Sequence, residues 1–184
     1  NSTIFYACTP AGQLWKSTNS GSSWSVISDG IPATGVTDVA IDPTNSNILY
    51  ALTGDADQAL YHPSSRGLYK STNGGATWAT TGINYTSNGV LLTSILIHPT
   101  NTNIIIVGGT NGIRRSINGG TTFTQVNTSS IRELVFNPQN PSTVFAGSKT
   151  GAVLLRSYDA GATWTQLTNG VPASTAAVRF SVDV

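Results

Sequence analysis

Residues 68–78 read LYKSTNGGATW, and this stretch decides the fold because related stretches recur at three other places in the chain. These are LWKSTNSGSSW at 14–24, IRRSINGGTTF at 113–123 and LLRSYDAGATW at 154–164. The aligned serines are 54, 45 and 41 residues apart. A period near 45 residues is the length of one β-propeller blade and is too long for a leucine-rich or hexapeptide repeat.

The turn motif, as we call this repeat, combines a serine, an Asn or Asp two residues later, a glycine after two more, and a final aromatic residue. The Asn or Asp side chain can hydrogen-bond its own turn backbone, and glycine tolerates a positive φ. We therefore interpret the motif as the hairpin between two strands, with a structural rather than a ligand-binding role. Its four copies are Ser17, Asn19, Gly21 and Trp24; Ser71, Asn73, Gly75 and Trp78; Ser116, Asn118, Gly120 and Phe123; and Ser157, Asp159, Gly161 and Trp164.

A second repeated element precedes three of the turn motifs, at 36–50 (VTDVAIDPTNSNILY), 92–107 and 131–145. Each copy is a short run rich in β-branched residues, a polar turn that contains proline, and a second such run. No stretch of helical length shows a 3.6-residue hydrophobic period. The pattern predicts an all-β fold with four antiparallel strands per unit, placed in the second unit near 36–42, 48–53, 67–71 and 77–81.

The spacing of the turn motif resembles the Asp-box, or bacterial neuraminidase repeat, found in sialidases, sortilin-type receptors and family 74 glycoside hydrolases. The whole chain looks most like the sortilin-like propellers of large secreted Bacteroidetes proteins, which often carry a type IX secretion signal. It is similar, more distantly, to xyloglucanases of family 74. Asn19, Asn73 and Asn118 depart from the Asp of the box, and only Asp159 keeps it.

The expected architecture is a β-propeller segment of about four blades that forms part of a larger propeller or assembly. We expect blade units over 1–30, which lacks a first strand, 31–84, 90–127 and 131–170. Residues 176–184 read as the first strand of a further or ring-closing blade. The absence of methionine indicates a processed chain or a piece of a longer one.

Composition excludes several classes of function. Charged residues make up 9% of the chain and the net charge is +1, which is too little for a nucleic-acid-binding surface. The longest apolar run, 104–107, is far too short for a membrane span. The single cysteine, Cys8, cannot form an internal disulfide. Glu133 is the only glutamate, which argues against the Tyr–Glu chemistry that a resemblance to sialidases would imply.

The densest cluster of ionisable residues lies in an insertion of the second unit, 54–66 (GDADQALYHPSSR). Asp55 and Asp57 are candidate calcium ligands, because hard cations prefer carboxylate oxygens. Asp55 also resembles in position a catalytic Asp of family 74 glycosidases, although a glycosidase needs a second carboxyl group. The candidates for ligand binding are Asp55, Asp57, His62 and Arg66.

Three functions remain open from the sequence. The first, which we favour, is a non-catalytic module of a secreted or cell-surface bacterial protein that binds a glycan or a protein, or supports further blades or copies of itself. The second is a fragment of a secreted glycoside hydrolase that resembles xyloglucanases. The third is a subunit of an extracellular filament. The scarcity of acidic residues favours the first and leaves enzymatic activity uncertain. No cofactor other than calcium is indicated.

Overall fold

A computed structural model describes residues 3–9, 13–32, 35–55, 65–85, 89–148, 151 and 153–171. The described residues form fifteen β-strands and no helix, in four separate antiparallel sheets. The predicted all-β propeller class is therefore confirmed. The predicted strand at 176–184 lies outside the described residues.

Each sheet follows chain order from one edge to the other. The first has three strands: β1 (Phe5–Cys8), β2 (Leu14–Ser17) and β3 (Ser25–Val26). The second has β4 (Val36–Ile41), β5 (Leu49–Thr53), β6 (Gly67–Ser71) and β7 (Ala79–Asn84). The third has β8 (Leu92–Ile97), β9 (Ile105–Gly109), β10 (Gly112–Ser116) and β11 (Thr124–Asn127). The fourth has β12 (Ile131–Asn137), β13 (Asn140–Ser148), β14 (Leu154–Ser157) and β15 (Thr165–Gln166).

The strands of the second unit agree closely with those expected from the sequence, except that the last begins at Ala79 rather than near residue 77. The difference arises because the turn motif holds Thr77 and Trp78 in the turn, where the Thr77 amide bonds to the Asn73 side chain. An amide engaged in that way cannot also join the ladder to β6.

The sheets pack face to face in series, because β4 contacts β1, β8 contacts β4 and β12 contacts β8. Three apolar clusters fill the spaces between neighbouring sheets. Strand β9 contributes to two of them, since Ile105 and Val107 face the second sheet whereas Ile106 faces the fourth. A strand buried on both sides needs apolar residues at consecutive positions, which explains the run at 104–107.

Antiparallel connection gives each sheet two distinct ends. The turn motifs and the proline-containing turns lie together at one end, which we call the motif face; the Gly74 amide, for example, donates to the Asn47 carbonyl at 2.9 Å. The connections β5–β6 and β9–β10, and those between sheets, lie at the opposite end, which we call the loop face. The described residues of the insertion, 54–55 and 65–66, therefore lie on the loop face.

Candidate functional site

The base of the insertion is fixed to its own sheet by hydrogen bonds around Thr53. The Thr53 hydroxyl donates to the Gly67 carbonyl at 2.7 Å and accepts from the Arg66 amide at 2.8 Å. The Ser65 hydroxyl donates to the Thr53 carbonyl in a short hydrogen bond. These bonds tie the two ends of the insertion to each other.

The same base is also joined to the neighbouring sheet. The Leu92 amide donates to the Ser65 hydroxyl at 2.9 Å, and the Ser65 amide donates to the Val90 carbonyl at 3.1 Å. Ser65 is 1% exposed, so these contacts are shielded from water. The insertion therefore starts from the junction of two blades.

Two of the four residues predicted for this site are described. Asp55 is only 2% exposed at the end of β5, whereas Arg66 is exposed just before β6. Asp57 and His62 lie outside the described residues. Among the residues that are described, no three His, Cys, Asp or Glu side chains come together as a metal site would require. The calcium hypothesis for Asp55 and Asp57 thus stays a prediction.

The four turn motifs on the motif face share one hydrogen-bond pattern. In each, the serine hydroxyl donates to the Asn or Asp side chain and accepts the amide of the glycine, as in the bonds of Ser71 to Asn73 and Gly75, both 2.9 Å. The Asn or Asp oxygen also accepts the amide four residues later, as from Thr77 at 2.9 Å. All four serines are 1% exposed. The serine and the Asn or Asp of each motif are therefore hydrogen-bonded within their own turn.

Asp159, the only Asp at its position in the four motifs, forms hydrogen bonds with the corresponding groups of the turn, as the three Asn residues do. Its Oδ1 accepts the Thr163 amide at 2.8 Å and its Oδ2 accepts the Thr163 hydroxyl at 2.6 Å. Desolvation acts to raise the pKa of Asp159, but the hydrogen bonds from Thr163 and Ser157 outweigh it and lower the pKa to about 2. Both carboxylate oxygens are thus engaged within the turn.

One half-buried carboxyl group that links two sheets, Asp38, was not singled out from the sequence. It lies on β4, where its Oδ2 accepts the Ile95 amide of the next sheet at 3.0 Å and its Oδ1 accepts the Val39 amide at 2.8 Å. Ser94 occupies the corresponding place on β8, and its hydroxyl accepts the Leu134 amide at 3.3 Å. Alignment of VTDVAI with LTSILI could have shown a polar residue repeated inside an apolar strand.

Burial raises the pKa of Asp38 to about 6, against the lowering effect of the two amide hydrogen bonds. Burial, with a smaller contribution from the Asp38 charge, also raises the pKa of the Cys8 thiol to about 12. The thiolate, which is the reactive form, is therefore scarce at neutral pH, and Cys8 behaves as an apolar core residue. Asp38 therefore links two blades through a hydrogen bond, and burial disfavours the ionised form of its carboxyl group.

Replacing Asp38 by serine, the residue found at the corresponding place on β8, should alter how stability depends on pH. The folded pKa of Asp38 lies above its ordinary value of 3.8, so its contribution to stability is complete below about pH 4 and is lost as the pH rises through 6. Between pH 4 and pH 7, the free energy of unfolding of Asp38→Ser should therefore rise by about 2 to 3 kcal/mol relative to that of the parent protein. Urea unfolding of both proteins across this range measures the difference, and a constant difference would contradict the raised pKa.

The described residues include no helix long and apolar enough to cross a bilayer. No protein-family model matches the sequence. The chain is 31% identical over 136 residues to a xyloglucanase from Hypocrea jecorina (strain QM6a), a match that covers 67% of this chain and 16% of that protein. The chain therefore corresponds to a small part of this curated relative.

Solved structures agree on the fold. The crystal structure of an ancestral GH74 enzyme matches with a TM-score of 0.73 and 24% identity, over 92% of this chain and 23% of the enzyme. The GH74 xyloglucanase from Xanthomonas campestris matches with a TM-score of 0.72 and 18% identity, over 94% of this chain and 29% of the enzyme. The chain is thus a β-propeller segment whose blades are similar to those of GH74 xyloglucanases.

Proposed function

We propose that this chain is a propeller segment of a secreted glycoside hydrolase and that its loop face binds a β-glucan of the xyloglucan type. The observation that carries the proposal is the 31% identity to a xyloglucanase over 136 residues. This supports the fragment hypothesis more than the non-catalytic module that we favoured from the sequence. Secretion, and the finer relation to Asp-box and sortilin-like propellers, belong to the same proposal.

Asp55 is the described residue best placed to take part in catalysis. It lies two residues after the end of β5, in the same connection as Ser65, whose hydroxyl accepts the Leu92 amide of the next blade, and the Asp55 side chain is almost fully buried. A carboxyl group positioned at the junction of two blades suits a general acid or base. Glycosidases place two such groups on opposite sides of the scissile bond. We propose that the second comes from the part of the enzyme that this chain does not include.

Arg66, the exposed residue among the described part of the insertion, would contribute to the glycan surface. The Arg66 side chain is exposed next to Tyr69, whose pKa is raised by burial and lowered to a smaller degree by the Arg66 charge. Guanidinium groups bind sugar hydroxyl groups through several fixed N–H donors. Arg66 therefore adds a directional donor at the base of the insertion.

Asp55→Asn tests the proposal in the intact parent protein, with xyloglucan hydrolysis and xyloglucan binding measured separately. We expect hydrolysis to fall at least about a hundredfold, with binding retained, because the amide keeps the shape and loses the proton-transfer group. Asp159→Asn is the matched control, since the other three turn motifs already carry Asn at this position. Its activity should equal that of the parent protein.

The outcomes separate the competing functions. Hydrolysis that persists in Asp55→Asn would contradict the role of Asp55. Binding of xyloglucan without hydrolysis by the parent protein would favour the non-catalytic module. A parent protein that neither binds nor hydrolyses xyloglucan would contradict the proposed function as a whole.

A further inference from the structure

Each of the last three sheets passes from its first strand to its second through a polar loop on the motif face. The residues that cap these loops, each followed by proline, are Asp42, His98 and Asn137. Asp42 Oδ1 accepts the Thr44 amide at 2.8 Å, and Asn137 Oδ1 accepts the Gln139 amide at 2.9 Å. Short side chains that accept a nearby amide in this way stabilise turns. In two of the three loops, therefore, the capping atom is an oxygen.

In the third sheet the capping atom is an imidazole nitrogen. His98 Nδ1 accepts the Asn101 amide at 3.2 Å and the Thr100 amide at 3.3 Å, and the Thr100 hydroxyl lies 3.4 Å from the same nitrogen. A ring nitrogen that accepts hydrogen bonds carries no proton, so His98 is neutral with its N–H at Nε2. Protonation would turn Nδ1 into a donor that faces the two amide donors. The cap of the third sheet thus depends on a neutral histidine.

The surroundings of His98 favour the neutral ring. His98 is 8% exposed, and the Phe136 ring of the fourth sheet packs against it edge to face, with 5.5 Å between the ring centroids. Burial lowers the pKa of His98 from its ordinary value of 6.5, and the Arg115 charge lowers it to a smaller degree. Within the described residues, the other charged group at this loop is Asp42 of the second sheet, which accepts a hydrogen bond from the Thr102 side chain. At neutral pH the cap is therefore intact.

The loop that His98 caps supports a junction between the second and third sheets. The Gly119 amide, in the turn motif of the third sheet, donates to the Asn103 carbonyl of this loop at 3.0 Å. The Gly119 carbonyl accepts Lys70 Nζ at 3.1 Å and the Tyr50 hydroxyl at 2.9 Å, both from the second sheet. Release of the loop would therefore remove a contact that holds Gly119 where the second sheet binds it.

We propose that His98 is an acid-sensitive switch, which holds the loop 98–104 and the Gly119 turn in place when it is neutral and releases both when it is protonated. A histidine whose pKa is lowered by folding contributes stability that is complete above pH 6.5 and is lost as the pH falls through the folded pKa. The second sheet has no such switch: desolvation acts to raise the pKa of Asp42, but its hydrogen bonds outweigh this and lower the pKa, so its cap stays ionised. The switch acts without any glycan, so its failure leaves the proposed function untouched.

Amide hydrogen exchange of the 184-residue chain at pH 7 and pH 4.5, corrected for the intrinsic exchange rate at each pH, tests the switch. We expect the protection of the Ile104 and Gly119 amides to fall at least about threefold at the lower pH, because protonation favours the released loop. The Ile48 and Gly74 amides make the corresponding bonds in the second sheet and are the internal reference. Their protection should not change with pH.

His98→Asn distinguishes the switch from a merely structural cap, since Asn caps the corresponding loop of the fourth sheet. This variant should keep the Ile104 amide protected equally at both pH values, whereas His98→Ala should lose the protection at both. His62→Asn removes the other histidine and should respond to pH as the parent chain does. Protection in the parent chain that is indifferent to pH, a loss confined to Ile104, or a pH response that persists in His98→Asn would overturn the proposal.

NMR of the imidazole nitrogens gives a readout that leaves His98 unchanged. In His62→Asn, His98 is the remaining histidine, so its signals need no further assignment. We expect an unprotonated Nδ1 and a protonated Nε2 at pH 7, and a titration midpoint below 6.5. The opposite tautomer, or a midpoint at or above 6.5, would overturn the proposal.

Discussion

Gly67→Ala should lower the free energy of unfolding by about 4 kcal/mol or more, which places it among the most damaging single substitutions. Gly67 begins β6 with a φ of 119°, a conformation that residues with a side chain rarely adopt. An added Cβ would lie 2.1 Å from the Ile83 carbonyl oxygen and 2.9 Å from its carbon. Since those atoms belong to the backbone of the paired strand, neither can move without breaking the β6–β7 ladder.

Gly30→Ala separates backbone strain from steric overlap. Gly30 also has a positive φ, 98°, but nothing lies within 4 Å of an added Cβ. Its replacement should cost about 1 to 2 kcal/mol, the price of the unfavourable φ alone. Urea unfolding followed by tryptophan fluorescence gives both values. Equal losses for the two variants would show that β7 yields to the added methyl group and would contradict the argument.

The repeat made the fold predictable from the sequence. The turn motif combines a buried hydroxyl, an Asn or Asp and a glycine at fixed spacing. Each of these stabilises a hairpin turn through local contacts or backbone conformation. Short β-branched runs before and after it predict strands in the same way. Ser71, Asn73 and Gly75 contact one another within five residues of chain, so no knowledge of the tertiary structure was needed.

Contacts between blades could not be predicted in the same way. Asp38 bonds to Ile95, and Lys16 bonds to Gly74, across 57 and 58 residues of sequence. A basic residue before each motif serine is visible in the sequence, but its acceptor is a backbone carbonyl, which has no sequence signature. For the candidate site, the sequence indicated the insertion that carries it. Asp57 and His62 of that insertion lie outside the described residues, so only Asp55 and Arg66 can be compared with the structure.

Ser71→Ala should lower the free energy of unfolding by about 3 kcal/mol, because one buried hydroxyl satisfies three groups of the turn. The Ser71 hydroxyl accepts the Gly75 amide at 2.9 Å and the Asn73 amide at 3.3 Å, and it donates to the Asn73 side chain at 2.9 Å. Alanine leaves the Gly75 amide buried without an acceptor. It also removes the donor that orients Asn73 toward the Thr77 amide.

Thr72→Ala is the matched control, since Thr72 lies in the same turn but is exposed. Its effect should stay within about 0.5 kcal/mol, as for most surface substitutions. In Ser71→Ala the loss should extend to the neighbouring blade, because the hydrogen bond from Lys16 Nζ depends on the position of the Gly74 carbonyl. Lys16→Ala should therefore cost less in the Ser71→Ala background than in the parent protein. Strictly additive losses would contradict this coupling and would confine the role of the serine to its own hairpin.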